Sequence, residues 1–224
     1  LFLLAARGMR LEVALRLMLS IGLRRGEVCG LRWDVDVDLV AGTLTVNGTL
    51  QYISGRGLVC GDPKTDASRR TFKLPPSLLA ALIWHRKQQE REREQMGGLW
   101  KDSGYVFVNP TNGGPLNSNA IYDVFKQAAE AAGLPDAATP HTLRHSCASF
   151  LHAEGASIKK ISVYLGHANT TITRSAQKTA KFSGGVAVVN VQLGRFSSAY
   201  CASAFLCTHQ TSIRSLVETV LFKT

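Results

Sequence analysis

The strongest structural signal in this sequence is His141-Thr142-Leu143-Arg144-His145, preceded far earlier in the chain by Gly22-Leu23-Arg24-Arg25-Gly26-Glu27. His141 and Arg144 are three residues apart, so on a helix they share a face and reach the same point. An arginine fork binds two phosphate oxygens and keeps its charge at any working pH. With Arg24 at the same point, two forks would hold one phosphodiester and stabilise its transition-state charge without a metal.

Two histidines and a lysine would complete such a pocket. His141 and His167, the latter in Leu165-Gly166-His167, can accept a proton from a hydroxyl or donate a hydrogen bond to phosphate. Lys64, in a predicted turn, can protonate a departing oxygen. Each element alone has a simpler explanation, since Arg24 can merely cap a helix or pair with Glu27, and Leu-Gly-His is an ordinary helix end.

Apolar residues at helical spacing, together with capping residues, predict a mostly helical chain. In the long helix that Pro75-Pro76-Ser77 opens, we expect four residues to face the core: Leu78, Leu79, Leu82 and Ile83. The charged end of that helix, residues 90–94, is expected to be solvated. The other predicted helices are Glu12–Ile21, Gly26–Leu31, Ser118–Ala132, His141–Glu154 and a helix between Ser157 and Gly166.

A small antiparallel β-sheet accompanies these helices. The alternating segment Thr43–Leu50 predicts one strand, Gly57–Cys60 continues the pattern, and Arg70–Leu74 is expected to close the same sheet. Lys64 then falls in the turn between the last two strands. The fold class predicted is mostly α with a small antiparallel β-sheet, an α+β fold.

Composition indicates a polyanionic partner. With 26 Lys and Arg against 16 Asp and Glu, the chain carries a formal charge of +10, which favours salt-dependent association with nucleic acid. Five scattered cysteines without a Cys-x-x-Cys pair fit a reduced compartment and no zinc site. No apolar run is long enough to cross a bilayer, so we expect a cytoplasmic, nucleoid-associated protein with no membrane partner.

Four motifs make the chain resemble the tyrosine recombinase (phage integrase) family. Residues 22–33 look like the first arginine box of that family, and Pro63-Lys64-Thr65, with Arg69-Arg70 and Leu74-Pro75 after it, looks like its β-hairpin lysine segment. Residues 141–145 and 165–167 look like its second box. The resemblance extends over roughly residues 11–173.

The resemblance implies site-specific DNA recombination and integration by strand cleavage and religation, with no nucleotide cofactor or metal. A tyrosine hydroxyl attacks the scissile phosphate, leaving a 3′-phosphotyrosyl enzyme and a free 5′-hydroxyl. Partners implied are double-stranded DNA and other recombinase protomers, which form a tetramer on DNA in the family.

The resemblance also implies a role for each matching residue. Arg24 and Arg144 would clamp the phosphate, and Lys64 would act as general acid. His141 would take the proton of the nucleophile, and His167 would donate to a phosphate oxygen. In a supporting role, Glu27 would hold the arginine helix in place.

The family pattern fails where the nucleophile is expected, about nine or ten residues after the histidine of Leu-Gly-His. Ala176 and Gln177 occupy those positions, and neither can attack a phosphate. Charged residues also become sparse there, with only Arg195, Arg214, Glu218 and Lys223 from residue 182 onward. We therefore expect a catalytic domain at 1–173, lacking the family's N-terminal core-binding domain, and an atypical tail at 174–224 that a frameshift or rearrangement introduced and that can be disordered.

The hypothesis is a catalytically impaired recombinase fragment that keeps its phosphate pocket. Two alternatives remain. One is an active recombinase that uses Tyr200, the only tyrosine after His167, and the other is a non-enzymatic DNA-binding protein that interferes with a full-length integrase. Tyr52, Tyr105, Tyr122 and Tyr164 are explained more simply as packing or surface aromatics.

The frameshift hypothesis predicts an outcome in the coding DNA. Translation of the other two reading frames after codon 173 should reveal a tyrosine codon about nine or ten codons beyond that of His167. Sequencing of the locus makes this check, and the lack of such a codon in both frames would contradict the frameshift origin of the tail.

Overall fold

Helix α2 (Glu12–Ser20) lies at the centre of the fold in a computed structural model that describes residues 1–61 and 69–166. Every residue from Glu12 to Met18 is buried, because α2 packs against the first, third, fourth, fifth and sixth helices of the chain. A helix buried on all sides is expected only where other helices surround it. The rest of the described chain is arranged around α2.

The described residues form seven α-helices and five short strands. No helix among them has the length and apolar character that crossing a bilayer requires. The remaining helices are α1 (Phe2–Ala5), α3 (Arg25–Gly30), α4 (Pro76–Met96), α5 (Ser118–Ala131), α6 (Pro140–Ala153) and α7 (Ile158–Leu165). The strands are β1 (Val37–Asp38), β2 (Thr43–Val46), β3 (Thr49–Ile53), β4 (Gly57–Gly61) and β5 (Arg70–Lys73).

Capping side chains mark the starts of α5, α6 and α7. The bounds predicted from sequence for α2, α3, α5, α6 and α7 are confirmed to within one residue at each end. The side chain of Asn117 accepts a hydrogen bond from the backbone N–H of Asn119 at 3.0 Å at the start of α5. Thr139 and Thr142 form a capping box at the start of α6, and Ser157 caps α7. These side chains satisfy N–H groups that a helix start leaves without partners.

The predicted single sheet is wrong, because the chain forms two. Strands β1, β2 and β5 make one antiparallel sheet, and β3 pairs only with β4 in a separate hairpin. The predicted strand at 43–50 breaks at Asn47-Gly48, where Asn47 Nδ2 donates to Asp36 Oδ1 at 2.8 Å. After this break the chain continues into β3, and β5 pairs with β2.

Helix α4 buries a narrower stripe than its sequence predicted. Leu78, Leu82 and His85 are buried and lie along one side, whereas Ile83 is 38% exposed and its prediction as a core residue is wrong. Leu79 is only partly buried. Because consecutive helical residues are separated by about 100° around the axis, the neighbour of a buried Leu82 on a narrow stripe faces outward.

His85 is the most buried histidine of the described chain. Its Nε2–H donates to the carbonyl oxygen of Val106 at 2.8 Å, and its ring packs between Trp33 and Phe107. Burial lowers the pKa of His85 below its usual value of 6.5, so the imidazole is neutral in the folded protein.

Protonation of His85 should destabilise the fold at acid pH. Below about pH 6.5, His85 binds a proton in the unfolded chain but stays neutral in the folded protein. The free energy of unfolding should therefore fall as the pH falls, by up to about 1.4 kcal/mol per pH unit. His85→Gln keeps an N–H donor but cannot titrate, and it should lower this slope. Urea unfolding at pH 7.5, 6.5 and 5.5 measures it, and equal slopes in the two proteins would contradict the assignment.

Candidate functional site

Helix α6 brings Arg144 into the interior and leaves His141 at the surface. Pro140 is the first residue of α6, His141 lies in its first turn and is exposed, and Arg144 follows one turn later with 4% of its surface exposed. The motif spacing therefore places an imidazole at the rim and a guanidinium beneath it.

Arg144 joins the loop after α2 to the end of α7. Its Nη1 donates to the carbonyl oxygen of Gly22, and its Nη2 donates to the carbonyl oxygen of Leu165. The last carbonyls of a helix have no partners within the helix and carry partial negative charge, so they are favourable acceptors for a cation. The guanidinium is thereby held in one orientation.

Arg24 reaches the same helix end from the start of α3. Its Nη2 donates to the carbonyl oxygen of Gly166 at 3.0 Å, and its Nη1 donates to Glu27 Oε1 at 2.7 Å. Arg24 and Arg144 thus bind carbonyls of consecutive residues, and the two charges are close enough for Arg24 to lower the pKa of Arg144. The side chain of Arg24 is 35% exposed, so this fork faces solvent in part.

Glu27 is buried beneath Arg24 and also binds a residue that sequence reasoning did not select. Arg70 donates from Nη1 to Glu27 Oε1 at 3.1 Å and from Nη2 to Glu27 Oε2 at 2.7 Å. Burial alone would raise the pKa of the Glu27 carboxyl, but the hydrogen bonds and charges of Arg70 and Arg24 lower it below its usual value. The sequence shows Arg70 only as part of the segment that follows Lys64, and nothing there indicates a partner 43 positions away.

The crowded positive charges change the protonation equilibria of the site. Burial and the neighbouring charge of Arg24 lower the pKa of Arg144 to about 9, which leaves it protonated at neutral pH. His141 is exposed as a residue, but partial burial of its imidazole and the charges of Arg144, Arg25 and Arg24 lower its pKa. A neutral imidazole can accept a proton from a hydroxyl group at pH 7, as a general base must.

An anion would relieve this crowding. Each guanidinium has five N–H donors, and the contacts of Arg24 and Arg144 with the described residues use only some of them. The remaining donors can bind phosphate oxygens. Among the described residues no group of three or more His, Cys, Asp or Glu side chains is arranged to hold a metal ion.

Tyr164 is the described tyrosine nearest in sequence to Leu165 and Gly166, and it cannot supply a nucleophile in this conformation. Its ring packs edge-on against Phe72, with centroids 5.0 Å apart, and its hydroxyl is buried with no hydrogen-bond partner among the described residues. Burial raises its pKa well above 10. The interpretation of Tyr164 as a packing residue agrees with this position.

Several predicted site residues lie outside the described residues. These are Lys64, His167 and Tyr200, together with Ala176 and Gln177, where the nucleophile was sought. Of the predicted site, the described chain brings together Arg24, Glu27, His141 and Arg144.

Comparisons with known proteins identify the family of the chain. The model of the phage integrase family matches residues 3–178. The tyrosine recombinase XerC-like protein of Caldanaerobacter subterraneus subsp. tengcongensis is 31% identical across 75% of this chain and 45% of its own length. The integrase of Streptomyces ambofaciens is 37% identical across 53% of this chain and 31% of its own length.

Solved structures show the same fold. The Tn1549 transposon integrase, solved with transposon right end DNA, superposes with a TM-score of 0.66 at 22% identity, over 88% of this chain and 63% of its own. XerA recombinase superposes with a TM-score of 0.62 at 22% identity, over 88% of this chain and 62% of its own. The chain spans less than half of the two curated relatives it matches above.

Gly22 should not tolerate a side chain. Its φ is +69°, and a Cβ would lie 2.4 Å from Leu165 Cδ2, so Gly22→Ala combines backbone strain with a clash against α7. We expect a loss of about 2–4 kcal/mol in the free energy of unfolding.

Gly133→Ala is the matched control, because Gly133 has a φ of +66° but nothing within 4 Å of the added Cβ. This variant should lose only about 1 kcal/mol. Urea unfolding compares the two variants, and equal losses would show that the contact between Gly22 and Leu165 does not constrain the site.

Proposed function

The chain belongs to the phage integrase family of tyrosine recombinases, and from this we propose that it is a recombinase catalytic-domain fragment that holds a DNA phosphate but is impaired in cleavage. The observation that carries the proposal is the convergence of Arg24 and Arg144 on the carbonyls of Gly166 and Leu165. Two fixed guanidiniums whose contacts with the described residues use only some of their donors are suited to one phosphodiester.

In this proposal the pocket keeps the groups that would stabilise the negative charge of the cleavage transition state. Arg24 and Arg144 bind the non-bridging oxygens of the scissile phosphate and stabilise the extra negative charge of its pentacoordinate transition state. Neutral His141 is placed to take the proton of the attacking hydroxyl. By resemblance to the family, His167 would add a hydrogen bond to the phosphate and Lys64 would protonate the leaving 5′-oxygen.

The proposed impairment of cleavage follows from the lack of a tyrosine at the position where the family pattern expects the nucleophile. A tyrosine recombinase needs a phenol that can reach the phosphate, and residues 174–177 read Arg-Ser-Ala-Gln. Tyr164 is buried against Phe72, and Tyr200 lies more than thirty residues beyond His167. The pocket would then bind DNA without forming the covalent phosphotyrosine.

Double-stranded DNA is the proposed partner. Support comes from the formal charge of +10 and from a cationic edge beside the pocket, where Arg25 and Lys126 lie 5.9 and 5.8 Å from the ring centre of Tyr122. The related Tn1549 integrase was solved with transposon DNA. Other recombinase protomers are proposed as further partners, and a chromosomal substrate would place the chain in the cytoplasm with the nucleoid.

DNA binding should depend on Arg24. Arg24→Gln removes one phosphate contact and should reduce the slope of log affinity against log salt by about 0.9 on duplex DNA. Arg93→Gln is the matched control, because it removes the same charge from an exposed ion pair with Asp102 on a different part of the chain. Fluorescence anisotropy at several salt concentrations measures both slopes, and equal slopes would contradict a phosphate at Arg24.

Cleavage is tested separately by covalent trapping on a pool of nicked duplexes of randomised sequence. The proposal expects binding without a covalent adduct. An adduct that Tyr200→Phe abolishes would instead establish an active recombinase that uses Tyr200. A lack of both binding and adduct would contradict the DNA-holding pocket itself.

A further inference from the structure

Glu27 is shared unequally between two arginines. Arg70 makes two parallel N–H···O contacts, one to each carboxylate oxygen, at 3.1 and 2.7 Å. The guanidinium of Arg24 makes one contact, to Oε1 at 2.7 Å, and directs its other Nη to the carbonyl of Gly166. Bidentate pairing is the stronger arrangement, so the charge of Glu27 is neutralised mainly by Arg70.

The pairing of Glu27 with Arg70 affects the net charge of the cluster formed by Arg24, Arg144, Arg70 and Glu27. Arg24, Arg144 and Arg70 contribute three positive charges and Glu27 one negative charge, a net charge of +2. Without Arg70 the carboxylate would offset Arg24 instead, and the pocket would retain only a net charge of +1. Arg70 and Glu27 side chains are 8% and 2% exposed, so water screens this interaction little.

We propose that Arg70 is a positioning residue that neutralises Glu27, so that Glu27 can orient Arg24 without cancelling the charge that Arg24 offers to the phosphate. This inference rests on the proposed function of the same pocket. Glu27 supplies the geometry, since its Oε2 also accepts from the backbone N–H of Arg24 at 2.7 Å. Arg70 supplies the compensating charge.

The position of Arg70 is set by its surroundings. Strand β5 holds its backbone opposite Val46, and its guanidinium lies 5.4 Å from the ring centre of Phe72. A Cβ on Gly166 would lie 3.0 Å from Arg70 Nη1, so the guanidinium packs closely under the end of α7. Arg70 therefore contacts both Glu27 and the turn whose carbonyl binds Arg24.

Two single variants change the net charge of the cluster in opposite directions, and the double variant restores it. Arg70→Gln leaves a net charge of +1, Glu27→Gln raises it to +3, and the double variant E27Q/R70Q restores +2. The proposal predicts that the double variant resembles the wild type more closely than Arg70→Gln does. A purely structural role for Arg70 predicts that all three variants are impaired and the double variant most of all.

The first readout is the pKa of His141, measured by NMR on the full chain without DNA and assigned with His141→Gln. Burial and the charges of Arg144, Arg25 and Arg24 lower this pKa. If Glu27 offsets Arg24 once Arg70 is lost, the pKa of His141 should rise. Glu27→Gln should lower it further, and E27Q/R70Q should return it to the wild-type value. Circular dichroism and thermal melting confirm that each variant is folded.

The second readout is the salt dependence of duplex binding. Arg70→Gln should reduce the slope of log affinity against log salt by about 0.9, and E27Q/R70Q should restore it. Arg93→Gln, which loses one exposed charge outside this cluster, should leave both readouts near wild type. If Arg70→Gln does not fold, two results still test the proposal. Glu27→Gln should lower the pKa of His141, and E27Q/R70Q should return both the pKa and the salt slope to the wild-type values.

The two readouts separate the possible failures. A wild-type chain that does not bind DNA contradicts the proposed function, while the pKa series of His141 still tests the role of Arg70. An unchanged pKa of His141 in Arg70→Gln, or a double variant no closer to wild type than the single variant, overturns the inference.

Discussion

The end of α7 is the constraint on which the site depends. The helix stops at Gly166, whose backbone is left-handed with φ 66° and ψ 47°, and this leaves the carbonyls of Leu165 and Gly166 as acceptors. Two arginines from distant parts of the chain converge there because a helix C-terminus attracts cations. Arg144 also binds Gly22, so one guanidinium joins the loop after α2 to α6 and α7.

Arg144 consequently serves the fold and the site together. A buried arginine is costly unless its charge is offset and its donors are satisfied, and here two main-chain carbonyls and the nearby Glu27 meet that need in part. The remaining positive charge is the property that a phosphate would exploit. Burial, and after it the charges of Arg144, Arg25 and Arg24, lower the pKa of His141, so the positive charges that would recruit an anion also favour a neutral imidazole.

Local sequence signals predicted the helices well, and long-range contacts explain most of what they missed. Caps and periodicity located α5, α6 and α7, and motif spacing selected Arg24, His141 and Arg144. The split of the sheet occurs at Asn47, which binds Asp36 11 positions away, and it leaves β2 paired with the distant β5, which no local pattern encodes. Arg70 was missed because its partner Glu27 lies 43 positions away. The roles of Lys64 and His167, and the boundary at 173, stay predictions.

The acceptors that orient the two guanidiniums at α7 are main-chain oxygens, which every residue carries whatever its side chain. A substitution at Leu165 can alter packing, but it cannot delete the oxygen that Arg144 binds. A substitution in this turn therefore affects the two arginine contacts through the shape of the backbone more than through the chemistry of its side chain. The two carbonyl oxygens at the end of α7 therefore stay available to both guanidiniums as long as the left-handed turn at Gly166 is kept.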